Sequence, residues 1–158
     1  MSKKAGNTRR GFSMLELVVV VVIIGIIAAV AIPRLSRGSA GAADSALSSD
    51  LAVLRNGIDL YSAEHNGTFP AAATAANQLT QYTDEVGAIS ATRDATHIYG
   101  PYVRKMPPLP VGLRKGKTGI AAADANDVGW IYGATTGDIR ANCSAGEVDT
   151  TGKLYSSY

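Results

Sequence analysis

Residues 12–32 read FSMLELVVVVVIIGIIAAVAI, and this stretch decides how the chain is organised. As a helix rising ~1.5 Å per residue it would extend roughly 32 Å, close to the ~30 Å thickness of bilayer hydrocarbon. Glu16 is its only charged residue. Residues 1–11 are polar and carry Lys3, Lys4, Arg9 and Arg10 with no acid among them. A positive flank of this kind is retained on the cytoplasmic side, which would place the C-terminal part of the chain outside the cytoplasm.

Three readings of this N-terminus compete. In a secretory signal peptide, Lys3 to Arg10 are the basic region, Leu17–Ile27 the apolar region, and Ala29-Val30-Ala31 a small-residue cleavage pattern. The second reading is an uncleaved signal anchor. In the third, the leader is clipped before the apolar run, so that the run stays in the mature chain. Glu16 separates them. A carboxylate at the centre of a membrane helix costs about 2.5–3.5 kcal/mol, and less near an interface. Neither a signal peptide nor a plain anchor has a use for that cost. A cut after Gly11 creates an α-ammonium on Phe12, four residues before Glu16. In an assembly, the Glu16 carboxylate of one copy can then meet the Phe12 ammonium of a neighbour. The charges neutralise each other in an apolar setting and fix the axial stagger, as one buried polar residue sets register in a coiled coil.

Gly11-Phe12-Ser13-Met14-Leu15-Glu16, followed by a Val/Ile run and by Ala31-Ile32-Pro33, resembles the type III signal of type IV pilins and of type II secretion pseudopilins. The resemblance implies that Gly11 precedes the scissile bond and that Phe12 becomes the N-methylated first residue. It implies that Glu16 is the family's glutamate and Pro33 its helix-kinking proline. It also implies a prepilin peptidase, an inner-membrane assembly platform and a homo-oligomeric filament as partners, with membrane lipid around the helix before assembly.

The formal net charge of +2 is a property of the leader. Without its four basic residues, eleven Lys and Arg face thirteen Asp and Glu, and the mature chain is slightly acidic. No basic face is left for nucleic acid, so no nucleic-acid partner is expected. Cys143 is the sole cysteine, which rules out an intramolecular disulfide. Many adhesive pilins close their C-terminal loop with a cysteine pair, so its absence here points toward a pseudopilin. Much of the apolar content sits in Leu17–Ile32, leaving a modest core for the remainder.

Past the apolar run, Leu47, Leu51, Leu54, Ile58 and Tyr61 fall at spacings of 4, 3, 4 and 3, one face of an α-helix. Asp44, Asp50, Arg55 and Asp59 are expected mostly off that face. Pro33 lacks a backbone donor and Gly38, Ser39 and Gly41 lower helix propensity, so flexible points are expected there. The helix should stop near His65-Asn66-Gly67, with Gly67 as C-cap and Pro70 beyond. A short helix is expected around Ala72–Leu79. Residues 87–128 show little periodicity, and Met106-Pro107-Pro108-Leu109-Pro110 reads as a rigid loop crossing the domain rather than a proline-motif ligand. Gly129-Trp130-Ile131-Tyr132 and Asp138-Ile139-Arg140-Ala141-Asn142 read as a hairpin around Gly133–Gly137, with Trp130 and Tyr132 on one face and Ile131 on the other. The segments GPYVRKMPPLP and GWIYGATTGDIRAN resemble the C-terminal portion of pseudopilin-like proteins.

No catalytic constellation is present, and the chain is read as non-enzymatic. His65 is expected to face solvent at a helix end, and Cys143, without a signature for nucleophilic use, to be a buried or surface thiol. No cofactor is expected. The one metal candidate is the oxygen-rich run Asp124-Ala125-Asn126-Asp127-Val128-Gly129-Trp130, which suits calcium. It is similar to the calcium loop of major pseudopilins but lacks a residue between Gly129 and Trp130, and a plain Asp/Asn-rich turn is the favoured reading. The expected organisation is α+β: leader 1–11, transmembrane or filament-core helix 12–33, amphipathic continuation 34–66, and a head at 67–158 with an antiparallel sheet. The expected function is assembly, as a pseudopilin-like subunit in the inner membrane. The alternative is a singly anchored extracytoplasmic binding or sensor domain that does not polymerise.

Overall fold

The computed structural model describes residues 12–158. Its fold is α+β: one long helix and a C-terminal head with small sheets. Helix α1 spans Met14–Glu64, and α2 spans Ala75–Thr80. Five short strands follow: β1 Tyr82–Thr83, β2 Ile89–Ser90, β3 Gly119–Ala121, β4 Val128–Tyr132 and β5 Ile139–Ala141. A 3-10 turn at Tyr155–Ser157 closes the order.

The chain divides into two compact units within α1, one ending at Gly38 and the other running Ser39–Tyr158. The second half of α1 belongs with the head because it supplies the head's core. Leu47, Leu51, Leu54, Ile58 and Tyr61 are all buried, as their spacing requires. They share one cluster with Leu79, Leu109, Trp130, Tyr132 and Ile139. The helix is continuous through residue 33 and through Ser39–Gly41, so the expected weak points do not interrupt it. Its end falls where expected. Gly67 N–H donates to the Ser62 carbonyl at 2.8 Å, with Asn66 (φ 54°) and Gly67 (φ 80°) both left-handed, a conformation Asn and Gly tolerate best.

The expected hairpin is β4 and β5, antiparallel, with Trp130 opposite Ala141 and Ile131 opposite Arg140. Trp130 and Tyr132 point into the core while Ile131 is only half-buried. Two polar bonds fix the buried aromatics: Trp130 Nε1 donates to the Pro107 carbonyl (2.9 Å) and Tyr132 OH to the Pro70 carbonyl (2.9 Å). The proline run thus crosses the head as a loop, burying Leu109 and Val111.

Two features differ from expectation. The main sheet is mixed, because β3 pairs parallel with β4. Parallel neighbours ordinarily need a crossover of about a dozen residues. Here residues 122–127 suffice, since β3 is only three residues long. Close approach depends on two glycines: a Cβ on Gly119 would lie 2.3 Å from the Asp127 carbonyl oxygen, and one on Gly129 would lie 2.2 Å from that of Lys117. Helix α2 also begins later than expected, because Ala71–Thr74 form a turn before it.

Candidate functional site

Of the residues expected to carry the function, Glu16 and Pro33 fall on the N-terminal part of α1 and Phe12 lies two residues before it. From Phe12 to Ile32 every large apolar side chain is exposed, with Phe12 at 79%. Among the described residues no face of this stretch is covered, and an apolar helix exposed all round suits lipid or other helices. Gly25 carries the same message. A Cβ there would meet nothing within 4 Å, so no contact among the described residues requires a glycine. Small residues on an uncovered apolar helix let a neighbouring helix approach closely. Pro33 lies inside α1 and leaves the Ala29 carbonyl without its usual donor. Gly11 lies outside the described residues.

Glu16 has a local partner that the sequence reading missed. Ser13 N–H donates to Glu16 Oε2 at 3.5 Å, while Leu15 N–H donates to Ser13 Oγ at 3.3 Å. Leu17 N–H donates to the Ser13 carbonyl at 3.1 Å. Ser13 and Glu16 thus form a loose capping box at the helix start. The S-x-x-E spacing was the available signal. Within the described chain the Glu16 carboxylate meets only this amide, and one oxygen remains open to an external cation.

A match to the prokaryotic N-terminal methylation motif covers residues 6–32, which contain Gly11, Phe12 and Glu16. This motif supports reading the chain as a type IV pilin-like precursor. The motif implies processing by a prepilin peptidase and pilin-type assembly. With one helix among the described residues long and apolar enough to cross a membrane, the chain is consistent with a single-pass inner-membrane protein. No curated protein and no solved structure matches the chain.

The candidate calcium loop has a different electrostatic use. Arg114 grips Asp124 with two nitrogens, Nε at 3.2 Å and Nη2 at 3.1 Å, and Asn142 Nδ2 adds a third bond at 2.8 Å. Lys117 Nζ holds Asp127 at 2.9 Å. Hydrogen bonds from Asn142 and Arg114 hold the Asp124 carboxyl below its ordinary value, and Lys117 does the same for Asp127. The two carboxylates already have cations, so this donor set does not fit a calcium cage as it stands.

His65 is a correction. It is buried rather than solvent-facing. Its ring stacks on Tyr61 at 3.8 Å, Nδ1 lies 2.8 Å from the Tyr61 carbonyl, and Nε2 lies 2.9 Å from that of Asp84. Tyr99 and Tyr102, from the segment with no readable periodicity, close around it. Cys143 is half-buried, and burial together with Glu147 raises its thiol to about 11.

The head also contains a clasp. Contrary to expectation, Asp44 lies on the buried stripe, three residues before Leu47, and accepts bonds from Thr150 N–H (3.0 Å), Thr150 Oγ1 (2.8 Å) and Tyr155 OH (2.7 Å). Burial pushes its carboxyl up, but the bonds from Tyr155 and Thr150 outweigh that and leave it below the usual value. Asp149 is held well below the usual range, first by Tyr158 OH and then by Thr151. Arg55 donates to the main-chain oxygens of Ile139 (3.2 Å) and Tyr158 (2.7 Å). One face of α1 therefore ties down the last ten residues without a disulfide.

Proposed function

We propose that the protein is a structural, non-catalytic subunit of a type IV pilus-like filament, and specifically a pseudopilin of a type II secretion system. A prepilin peptidase cleaves between Gly11 and Phe12 and the new amino group is methylated. The mature helix is then drawn from the bilayer, through an inner-membrane assembly platform, into the filament core. The head lies outside the cytoplasm. The observation that carries this reading is the helix of Phe12–Ile32, uncovered on every side yet bearing one carboxylate four residues from the cleavage point. Exchange of lipid contacts for helix–helix contacts drives assembly, and the Glu16 carboxylate with a neighbour's Phe12 ammonium sets register. The sole cysteine favours a pseudopilin over a disulfide-closed adhesive pilin.

Intact-mass and N-terminal analysis of the membrane-extracted chain tests the reading. The expected mature chain begins at N-methyl-Phe12 and appears in a sheared or overexpressed filament fraction. A chain beginning at Ile32 refutes it, as does an intact leader in a peptidase-competent host. Correct processing without polymer leaves the singly anchored domain as the better account. Deleting the gene should abolish export of a secreted enzyme while leaving surface pili in place; the reverse pattern refutes the pseudopilin assignment.

A further inference from the structure

Helix α1 ends beside a cavity of about 350 Å³ lined by Tyr61, His65, Asn66, Thr68, Glu85 and Val86. It lies between the segment that leaves the helix and the turn joining β1 to β2. Tyr61 is only 2% exposed, yet its hydroxyl makes no hydrogen bond among the described residues. Every side-chain nitrogen or oxygen sealed from solvent in the described chain has a partner. The Tyr61 hydroxyl therefore reaches solvent, and the cavity that Tyr61 lines is where it does so. A hydroxyl can donate once and accept twice, and here that capacity is unused. Glycine at position 87 keeps the space beside it open, since a Cβ there would lie 2.5 Å from the hydroxyl oxygen.

The lining selects the chemistry of a ligand. Glu85 is exposed, and its carboxylate accepts one long bond, from Asn66 Nδ2 to Oε1 at 3.4 Å. Burial first, and Asp84 second, raise the Tyr61 hydroxyl above its ordinary value, so it stays neutral. Among the described residues no Lys or Arg lines the cavity, which disfavours an anion. A divalent metal needs a set of oxygen ligands with several carboxylates, and the described residues hold no cluster of that kind. A sugar ring or a base would need a free aromatic face to stack on. Here Tyr61 and His65 stack on each other at 3.8 Å, and Tyr99 and Tyr102 pack against the pair. Both His65 ring nitrogens already face carbonyls. What remains is a carboxylate, the hydroxyls of Tyr61 and Thr68, and an apolar wall at Val86, 88% exposed.

We propose that this cavity binds a primary ammonium on a short alkyl stem, the chemistry of a lysine side chain or of a small aliphatic amine. Glu85 supplies the counter-charge. The Tyr61 and Thr68 hydroxyls accept from the ammonium, and the stem lies along Val86. An ammonium has three donors and no acceptor, so it suits a lining that offers acceptors and a negative charge. None of these residues belongs to the Phe12–Ile32 helix, so the site stands whether or not the chain polymerises.

The test is a titration of the isotope-labelled full chain in detergent micelles at pH 7, followed by amide shifts. The probe is n-butylamine hydrochloride, with sodium chloride holding the ionic strength constant. The amides of Thr68, Glu85 and Val86 should shift saturably, with a midpoint of about 1–10 mM. The alcohol n-butanol, which has the stem without the charge, should give no saturable shift up to about 50 mM. Glu85→Gln should weaken binding by about tenfold, and Tyr61→Phe by about threefold or more. Because the Tyr61 hydroxyl has no partner, Tyr61→Phe should keep the thermal midpoint within about 2 °C of the parent, which separates lost binding from lost fold. Nα-acetyl-lysine methylamide distinguishes the two sources. Binding as tight as that of butylamine assigns the site to a peptide side chain, exclusion assigns it to a free amine, and either upholds the ammonium site. Shifts that stay linear in butylamine, that n-butanol reproduces, or that Glu85→Gln and Tyr61→Phe both leave unchanged overturn it.

Discussion

Asp44→Ala tests whether the clasp holds the C-terminal segment to α1. The substitution removes the acceptor of three bonds, from Thr150 N–H, Thr150 Oγ1 and Tyr155 OH. A hydrogen bond to a charged group contributes about 1.5–3 kcal/mol when both partners are shielded. Here the acceptor is buried, but Thr150 is exposed and Tyr155 half-exposed, so all three donors can turn to water. The expected loss is therefore about 2–3 kcal/mol rather than a threefold sum. Asp44→Asn keeps one carbonyl acceptor and should lose roughly half as much. Trp130 is the only tryptophan and is fully buried, so its fluorescence reports head unfolding directly. The assay is urea unfolding of the full chain in detergent micelles at pH 7. The pH dependence has a definite sign. The folded-state pKa of Asp44 lies below its unfolded value, so its contribution is present above about pH 4 and fades as pH falls through the folded value. Asp149 adds to the same acid-side loss. Asp44→Ala should flatten that loss as well as lower stability. A change under about 0.5 kcal/mol at pH 7, within the scatter of neutral surface substitutions, refutes the clasp.

Glu16→Ala should leave peptidase processing within about twofold of the parent but cut filament yield by tenfold or more, because an unpaired Phe12 ammonium would remain in the apolar core. Normal yield on shearing and immunoblotting would show that Glu16 does not set register. Cys143 should alkylate slowly. With its thiol raised to about 11 from 9.0, the thiolate fraction at pH 8 is about a hundredfold below that of an ordinary cysteine, and the iodoacetamide rate should still be climbing at pH 10. A rate equal to free cysteine at pH 8 contradicts the burial. Millimolar calcium, compared with a chelator, should move the thermal midpoint by less than about 1 °C, since a ligand without affinity for the folded state adds no linkage energy. A rise of several degrees would mean that calcium displaces Arg114 and Lys117 from Asp124 and Asp127.

What the sequence revealed depended on how local the cause was. The stripe from Leu47 to Tyr61, the stop at Asn66-Gly67, and the alternation of Trp130, Ile131 and Tyr132 each follow from neighbours a few residues apart. Periodicity and turn chemistry express such causes directly. Asp44 was expected off the apolar face and lies on it, because its partners Thr150 and Tyr155, which satisfy the buried carboxylate, are 106 and 111 residues away. His65 failed for the same reason, because its burial is created by Thr83, Asp84, Tyr99 and Tyr102. Strand β3 is too short to alternate visibly, and it owes its place to Gly119 and Gly129, whose lack of a side chain permits the close parallel pairing. At the candidate site, Glu16 stands out in the sequence because a lone carboxylate in an apolar run is informative wherever it folds, and the matched motif at residues 6–32 contains it. The Ser13 bond became visible only with coordinates.

The two halves of α1 show why one helix serves both solubility states. From Leu47 to Tyr61 the apolar residues occupy one stripe, and the head covers it completely. From Leu17 to Ile32 they occupy every side, and every large apolar side chain there is exposed among the described residues. At about 25 cal/mol per Å² of apolar surface, such a segment cannot remain in water, so it stays in lipid until another apolar environment replaces the lipid. That exchange alone is nearly neutral, because lipid tails are as apolar as Leu or Val. Direction and register must then come from a polar term. Glu16 is the one charged group in the run that can supply it. In lipid its carboxylate has a single long bond to the Ser13 amide. Beside the Phe12 ammonium of a neighbour it would gain a full opposite charge in the same low dielectric. On the proposed reading, the cost of Glu16 in the bilayer and its usefulness in a polymer are one electrostatic effect, and the free amino group that cleavage at Gly11–Phe12 would make gives that effect its sign.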